Sequence, residues 1–265
     1  MTALARSLLR ALRLAAWTSW CALAAAAGSW WWRRESDRRW AWRHRWTQRW
    51  GAGCWPILGL TATIEGEPPR PPYLLVANHV SWVDVLLLAG AVPGVFVAKA
   101  DLAGWPFVGA ACRSAGTIFV VRESRRDIVR VNEEVERAVA AGAGVILFAE
   151  GTSSSGARVE PFRTALLEYP ARAGLPVHWA ALSYATPTGQ PPARLAVCWW
   201  GGMRFLPHVF GLLRLPEFSA GLRLGREPVR ESDRKLLASR LHEAVSARFQ
   251  PIREEDDAAC PAVPS

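Results

Sequence analysis

The chain has 265 residues, enough for one domain with an appendage and a sizeable buried core. Its net charge of +9 is concentrated in residues 1–50, where ten arginines stand against two acidic residues and leave +8. The five cysteines, at positions 21, 54, 112, 198 and 260, follow no metal-ligand or disulfide spacing, which predicts no metal site and indicates a reducing compartment.

The first fifty residues combine an apolar stretch with arginine and tryptophan. Residues 14–32 carry no charge over nineteen positions, close to the roughly 20 that cross a hydrocarbon layer. Ten of the 15 tryptophans fall within residues 1–55 among the arginines, a pattern typical of an anionic membrane interface. Nucleic acid also suits arginine with tryptophan, but the apolar stretch favours membrane lipids and predicts no nucleic-acid partner. We therefore predict a membrane-anchoring helical segment over residues 1–52, in which 14–32 spans the bilayer or lies in its interface.

Residues 53–250 alternate apolar runs with helical patterns, which predicts an α/β domain whose largely parallel central sheet is flanked by helices. Ser124 and Asp127 mark the start of one helix, and another covers residues 232–249. Residues 251–265 are predicted to form a disordered tail. The predicted strands cover residues 57–64, 73–77, 95–98, 117–121, 144–148, 177–184 and 195–200.

The stretch 77–84 places an amide, an imidazole, a hydroxyl and a carboxylate between a predicted strand and a predicted helix. A neutral imidazole can accept a proton from a hydroxyl near pH 7 while a carboxylate holds its other nitrogen, so His79 and Asp84 could act as a pair. On one regular helix they would point about 140° apart, so they meet only if His79 lies in the turn before the helix. Ser81 and Asp84 also match a capping box with Ser81 as N-cap, and a lone histidine beside a strand is often a core residue.

Three polar side chains follow apolar strands by one or two residues: His79, Arg122 and Glu150. In parallel sheets, ligands bind where the strands end. If the three strands are parallel neighbours, these side chains converge at one edge of the sheet. A guanidinium there suits an anionic group, although a solvated charge run would look the same in sequence.

Four stretches occur in an order that is typical of one enzyme family. They are Asn78-His79-x4-Asp84, Gly-Thr-Ile-Phe-Val-Val-Arg at 116–122, Phe-Ala-Glu-Gly-Thr-Ser at 148–153 and Gly-Leu-Pro-Val at 174–177. Together they resemble the four blocks of the glycerolipid acyltransferase family, whose best-known members are 1-acylglycerol-3-phosphate acyltransferases.

The resemblance implies a membrane-bound O-acyltransferase that moves a fatty acyl group to a lysolipid hydroxyl. The donor would be a thioester of coenzyme A or acyl carrier protein, with no further cofactor and no metal. His79 would be the general base and Asp84 would orient it. The enzyme would lie at the inner cell membrane with its catalytic domain on the cytoplasmic side.

The same resemblance implies which residues bind the acceptor. Arg122 would grip its phosphate or other polar head, and Glu150, Gly151 and Thr152 would position it. Lys99, which follows a predicted strand, is a weaker candidate.

Two positions depart from the family pattern. Ala149 replaces the usual proline, and Ser153 replaces the arginine that is common in members forming phosphatidic acid; Arg158 or Arg163 could compensate. Lysophosphatidic acid is the expected acceptor, but this version of the block also resembles bacterial acyltransferases that complete ornithine lipids, so lyso-ornithine lipid is the alternative.

More distant alternatives are a lipid esterase and a non-catalytic membrane tether. The serine-hydrolase motif Gly-x-Ser-x-Gly does not fit, because it needs glycine at position 155, where Ser155 stands.

Overall fold

The structure is a computed structural model that describes residues 2–252. Apart from residues 251 and 252, the predicted disordered tail lies outside the described residues.

The described part of the chain contains nine α-helices, seven strands and two short 3₁₀ helices, Ala100–Gly104 and Ala165–Leu167. The helices are α1 (Ala3–Trp31), α2 (Ser36–Leu58), α3 (Val83–Ala91), α4 (Val108–Ala115), α5 (Arg125–Ala140), α6 (Glu168–Ala173), α7 (Ala193–Ala196), α8 (Phe205–Arg214) and α9 (Arg234–Arg248). The strands are β1 (Leu60–Glu65), β2 (Tyr73–Ala77), β3 (Val95–Lys99), β4 (Ile118–Val120), β5 (Gly144–Phe148), β6 (Val177–Ala185) and β7 (Phe218–Leu224).

The seven strands form one sheet in the order β1-β7-β6-β2-β5-β3-β4. Five of the six pairings are parallel, and only β6 and β7 run antiparallel. The predicted α/β architecture with a largely parallel sheet is therefore confirmed. Since β2, β5, β3 and β4 are consecutive neighbours, their carboxyl ends lie in a row along one edge.

The central strand β2 is buried on both faces, as expected for a parallel strand covered by helices on each side. Leu75 and Ala77 belong to the apolar core that includes residues of α2, α3 and α8. Leu74 and Val76 point the other way, into the core that includes residues of α5 and α9. This double burial makes β2 a rigid support for the turn that follows it.

The strand predicted at 57–64 begins too early, the one predicted at 195–200 is wrong, and one strand was missed. Residues 57 and 58 end α2, because the helix continues until Gly59 adopts a left-handed conformation (φ 75°) that terminates it. Residues 195–200 form the end of α7 and a loop, since the Trp199 N–H bonds to the Val80 carbonyl, 2.9 Å away, instead of to a strand. Strand β7 was missed although its side chains alternate between buried and partly buried, the period-2 pattern of a strand.

The N-terminal helices form an antiparallel pair held by indole groups. Trp17 Nε1 donates to the Trp50 carbonyl (3.0 Å), Trp50 Nε1 to Thr18 Oγ1 (3.0 Å) and Trp42 Nε1 to the Ala24 carbonyl (2.9 Å). Some of the N-terminal tryptophans therefore serve helix packing. Within residues 2–252, no helix is both long and apolar enough to cross a membrane.

Contacts from both helices join this pair to the α/β domain. Gly51 of α2 lies so close to α3 that a Cβ there would stand 2.2 Å from the Gly90 nitrogen. Arg10 of α1 donates to the carbonyls of Leu215 (2.5 Å) and Pro216 (2.8 Å), just beyond the end of α8, where a cation is favourable. Arg10 thus has a structural contact inside the protein.

Candidate active site

His79 and Asp84 form a hydrogen-bonded pair at the carboxyl end of β2. The strand ends at Ala77, residues 78–82 make a turn, and α3 begins at Val83 with Asp84 in its first turn. His79 Nδ1 lies 2.8 Å from Asp84 Oδ2, because the turn folds the imidazole back over the helix start. The expected geometry of the pair is therefore present.

Asp84 is fully buried, and each of its oxygens accepts hydrogen bonds. Oδ2 accepts from the backbone N–H groups of Val80 (2.7 Å) and Ser81 (2.9 Å) in addition to His79. Oδ1 accepts from the hydroxyl of Tyr184 at 2.8 Å. Burial, reinforced by the neighbouring carboxylate, raises the pKa of Tyr184 well above its ordinary value, so the phenol remains a donor.

The capping box is present only in part. Asp84 reaches back to the Ser81 N–H as a capping box requires, but the N-cap residue is Trp82, not Ser81. The Ser81 hydroxyl donates to the Val197 carbonyl (2.5 Å) and accepts from the Val83 N–H (3.2 Å). Ser81 does not act as the N-cap because the segment following α7 packs against the turn and supplies a carbonyl acceptor for the serine hydroxyl.

The imidazole of His79 is held from several sides but remains accessible. It stacks on Phe148 with ring centroids 4.2 Å apart, and 17% of the side chain is exposed. Its backbone N–H donates to Glu150 Oε1 (2.8 Å), and its carbonyl accepts from the Ser154 N–H (2.9 Å). Its Nε2 has no hydrogen-bond partner in the part of the chain that the structure describes, so this nitrogen can receive a proton from a ligand.

Glu150 follows β5, the neighbour of β2, and is 4% exposed. Burial raises the pKa of its carboxyl to about 8; the nearby charge of Asp84 adds to the rise, and donors from His79, Glu160 and Ser154 oppose it. The donors of Glu160 and Ser154 are near enough to lower this pKa, but they form no hydrogen bond of good geometry with Oε2. Within residues 2–252, Oε2 is therefore a buried oxygen without a hydrogen-bond partner. Glu150 is therefore mostly protonated at neutral pH.

Arg122 lies two residues beyond β4 and reaches the turn after β5. Its Nη1 donates to the Gly151 carbonyl, and the side chain is partly buried. Gly151 has φ 79°, and its N–H already donates to the Phe148 carbonyl (3.2 Å). The Gly151 N–H is therefore already used within the protein and is not free to bind the oxyanion of a reacting ligand.

The remaining two predicted site residues lie on the same edge without contacting the pair. Lys99, at the end of β3, forms an exposed ion pair with Asp101 (2.5 Å). The side chain of Thr152 is exposed on the loop after β5. The structure thus brings together His79, Asp84, Glu150, Gly151 and Arg122, whereas Lys99 and Thr152 stand apart.

Two contributors to this arrangement were not identified from the sequence. Tyr184 lies in β6, 100 residues from the Asp84 that it contacts, and only a tyrosine within an apolar strand could have drawn attention to it. Ser154 appeared as part of a polar loop, yet its N–H and hydroxyl both bond the His79 carbonyl. Within residues 2–252, no three His, Cys, Asp or Glu side chains are grouped to hold a metal ion.

Comparison with known proteins places this site in context. Residues 61–183 match the family model described as Acyltransferase. The lyso-ornithine lipid O-acyltransferase of Rhizobium meliloti (strain 1021) is 32% identical over 249 residues, covering 86% of this chain and 84% of that protein. The 1-acyl-sn-glycerol-3-phosphate acyltransferase of Neisseria gonorrhoeae is 35% identical over 159 residues, covering 57% of this chain and 62% of that protein.

A solved structure has the same fold. The crystal structure of the 1-acyl-sn-glycerophosphate (LPA) acyltransferase PlsC from Thermotoga maritima superposes with a TM-score of 0.63, at 21% identity, over 91% of this chain and 95% of that one. At this level of identity the likeness concerns the fold alone.

Proposed function

This chain belongs to the acyltransferase family, and we propose that it transfers a fatty acyl group from a thioester of coenzyme A or acyl carrier protein to the hydroxyl of a lysolipid. The observation that carries the proposal is the 2.8 Å contact between His79 Nδ1 and Asp84 Oδ2, while His79 Nε2 has no hydrogen-bond partner among residues 2–252. A base of this kind activates a hydroxyl that a ligand brings to it.

The proposed reaction needs one imidazole and no covalent enzyme intermediate. His79 begins neutral, with its Nδ1–H donated to Asp84. As the lysolipid oxygen attacks the thioester carbonyl carbon, Nε2 takes the hydroxyl proton. The tetrahedral intermediate then collapses, the C–S bond breaks, and His79 returns the proton to the departing sulfur. Asp84 stabilises the imidazolium between these two transfers.

The serine next to the pair is unsuited to act as a nucleophile. Ser81 is fully buried, and its hydroxyl is committed to the Val197 carbonyl at 2.5 Å. This supports direct transfer to the lysolipid over an acyl-serine route, and it disfavours the serine-esterase alternative.

Two lysolipids are candidates for the acceptor. Lysophosphatidic acid, which would yield phosphatidic acid, is the substrate class in the names of the Neisseria relatives. Lyso-ornithine lipid is named by relatives that match a larger share of this chain, and Ser153 stands where an arginine is common in members forming phosphatidic acid. These observations support lyso-ornithine lipid as the first acceptor to test.

The deciding experiment measures the product directly. The purified full chain is incubated with an acyl-CoA and each lysolipid in turn, and the diacyl product is identified by its mass. The His79→Ala protein, purified in the same way, provides the background. Formation of either diacyl lipid supports the proposal; free fatty acid without a diacyl product would favour the esterase, and lysolipid binding without turnover would favour the tether.

We further propose that the N-terminal helices bind the inner membrane and leave the catalytic domain on its cytoplasmic side. Trp20, Trp30 and Trp31 are 61–70% exposed, and Arg33 lies over the Trp30 ring at 5.0 Å. Exposed indoles beside guanidiniums suit lipid headgroups. Binding to anionic vesicles that weakens as salt rises would support this proposal, and equal binding to neutral vesicles would contradict the electrostatic part.

A further inference from the structure

Arg163 lies beside the turn that carries Glu150, although it belongs to none of the motifs described above. Its backbone N–H donates to the Ala149 carbonyl at 2.8 Å, and its Nε lies 3.3 Å from the Glu150 carbonyl. A Cβ on Gly151 would stand 2.7 Å from Arg163 Cδ, so the arginine stem covers the glycine directly. The side chain itself remains exposed to solvent.

Arg122 approaches the same turn from another element. Its guanidinium donates to the Gly151 carbonyl, while Arg163 donates to the carbonyl of the preceding residue. The two cations are close enough that Arg163 is the largest charged influence on Arg122, lowering its pKa after the effect of burial. Two guanidiniums therefore flank one turn, at the sheet edge that also holds His79.

In the described part of the chain, neither of these arginines forms an ion pair. Within residues 2–252, neither guanidinium has a carboxylate oxygen within 4.0 Å; Glu123 and Asp101 influence Arg122 only from farther away, and Asp101 is paired with Lys99. The Glu150 carboxyl is directed to the His79 N–H instead. Two neighbouring cations that lack an ion-paired carboxylate repel each other, and an oxyanion placed between them would relieve that repulsion.

From this arrangement we infer that Arg163, together with Arg122, clamps an oxyanion of the acceptor headgroup and so determines which lysolipids bind. The inference rests on the proposed acyl transfer to a lysolipid and names the chemistry of the acceptor: a phosphate or a carboxylate group. Arg163 would compensate for the arginine missing at Ser153. Arg158, the other candidate, is engaged with Glu160 at 3.1 Å and forms no hydrogen bond to the turn within residues 2–252.

The test compares kinetics of the full chain carrying Arg163→Gln, Arg163→Lys or the control Arg172→Gln. Arg172 is also an exposed arginine, and it pairs with Glu136 on the surface. Each protein is assayed with one acyl-CoA and with lysophosphatidic acid or lyso-ornithine lipid. For Arg163→Gln, the acceptor KM should rise on the order of 10- to 100-fold, as expected for one lost charge-assisted contact. The kcat and the donor KM should stay within about 3-fold, and Arg163→Lys should recover part of the loss.

The two acceptors distinguish the source of the oxyanion. A loss confined to lysophosphatidic acid assigns the clamp to a phosphate, and a loss confined to lyso-ornithine lipid assigns it to a carboxylate. An unchanged acceptor KM would overturn the inference. So would equal losses in kcat, donor KM and acceptor KM, because these indicate a general disturbance of the turn.

A binding measurement keeps this test separate from the proposed function. The shifts in Tm caused by lysophosphatidic acid and by lyso-ornithine lipid are each compared with the shift caused by monoacylglycerol, which carries neither a phosphate nor a carboxylate. At least one of the two lysolipids should stabilise the wild-type chain more than monoacylglycerol does, and Arg163→Gln should lose that difference. If the wild type acylates neither lysolipid, the proposed function fails but this measurement still tests the clamp, and equal shifts by all three lipids would contradict the clamp.

Discussion

The turns after β2 and β5 lie side by side at one sheet edge, and each is associated with a buried carboxyl group in an opposite environment. Asp84 accepts from two backbone N–H groups and from Tyr184, and it pairs with His79. Glu150 accepts one well-formed hydrogen bond, from the His79 N–H, and its other oxygen is left buried. Both carboxyl groups are buried to a similar extent. Their environments therefore differ in the number of hydrogen-bond donors that the protein supplies to each carboxyl group.

This difference explains how one imidazole can work between two acids. The donors around Asp84 fix both of its oxygens, with Oδ2 against the imidazole, where a carboxylate supports an imidazolium in the transition state. Glu150, with a pKa raised to about 8, stays mostly neutral and holds the backbone of His79 without adding a second negative charge. The turn after β2 thus supplies the charged partner of the imidazole, and the turn after β5 holds the His79 backbone in position.

The largest loss of activity should come from removing the general base, His79, which lies between the two carboxyl groups. His79→Ala should lower the rate of acyl transfer on the order of 10³-fold or more, because the only proton acceptor of the proposed mechanism is lost. The rate is measured as diacyl lipid formed per unit time. The variant should still fold and bind vesicles, as Tm and vesicle binding would show, because the backbone contacts of residue 79 with Glu150 and Ser154 remain; full activity would refute the role given to His79.

Replacing the charged partner should be nearly as damaging. Asp84→Asn keeps the shape but removes the charge that supports the imidazolium, so the rate should fall about 10²-fold or more. It should also reduce the free energy of unfolding by roughly 1–3 kcal/mol, since buried donors lose a charged acceptor. Denaturant unfolding and kinetics are measured on the same preparation, and a fully stable, fully active variant would contradict both roles.

A smaller loss of activity is expected from removing the Tyr184 hydroxyl, which donates to Asp84 Oδ1. Tyr184→Phe removes one hydrogen bond to a fully buried oxygen and should cost about 1–3 kcal/mol of stability. The rate should fall by roughly 3- to 10-fold, as one donor is a modest part of the support of Asp84. Tyr169→Phe provides a matched control, because Tyr169 lies in α6 against the opposite core. Equal losses in the two variants would show that the effect is general packing.

The smallest effect at neutral pH should come from Glu150→Gln, which resembles the protonated acid. Activity at pH 7 should stay within about 3-fold of the wild type. Folding raises the pKa of Glu150 from its ordinary 4.5 to about 8, so the folded chain binds this proton more tightly than the unfolded chain. The wild type should therefore lose stability relative to the variant between about pH 4.5 and 8, at roughly 1.4 kcal/mol per pH unit.

This pH dependence is measured by denaturant unfolding of both proteins from pH 5 to 9. The difference in free energy of unfolding isolates Glu150, because all other titrating groups are shared. The stability that the protonated carboxyl provides should be complete below its unfolded pKa and lost as the pH rises through about 8. A difference that does not vary with pH would show that Glu150 is already ionised in the folded chain.

The sequence by itself was sufficient for the centre of this site. A strand, a turn and a helix lie within about twenty residues, so His79 and Asp84 could be placed in one local unit. The common edge for His79, Glu150 and Arg122 followed from the direction of parallel strands, which a strand-helix alternation already implies.

Only the tertiary structure decided the rest. Tyr184 and Ser154 reach the site from segments whose spacing to His79 carries no signal, and their contacts depend on how distant elements pack. Arg163 was one of two arginines that the sequence offered, and only the packing distinguishes it from Arg158. The same reason accounts for the wrong strand at 195–200, where an apolar run finds its hydrogen bonds on the His79 turn instead of in the sheet. Local patterns determine which elements form, whereas the donors and charges that surround a buried group are set by chain segments that meet only after folding.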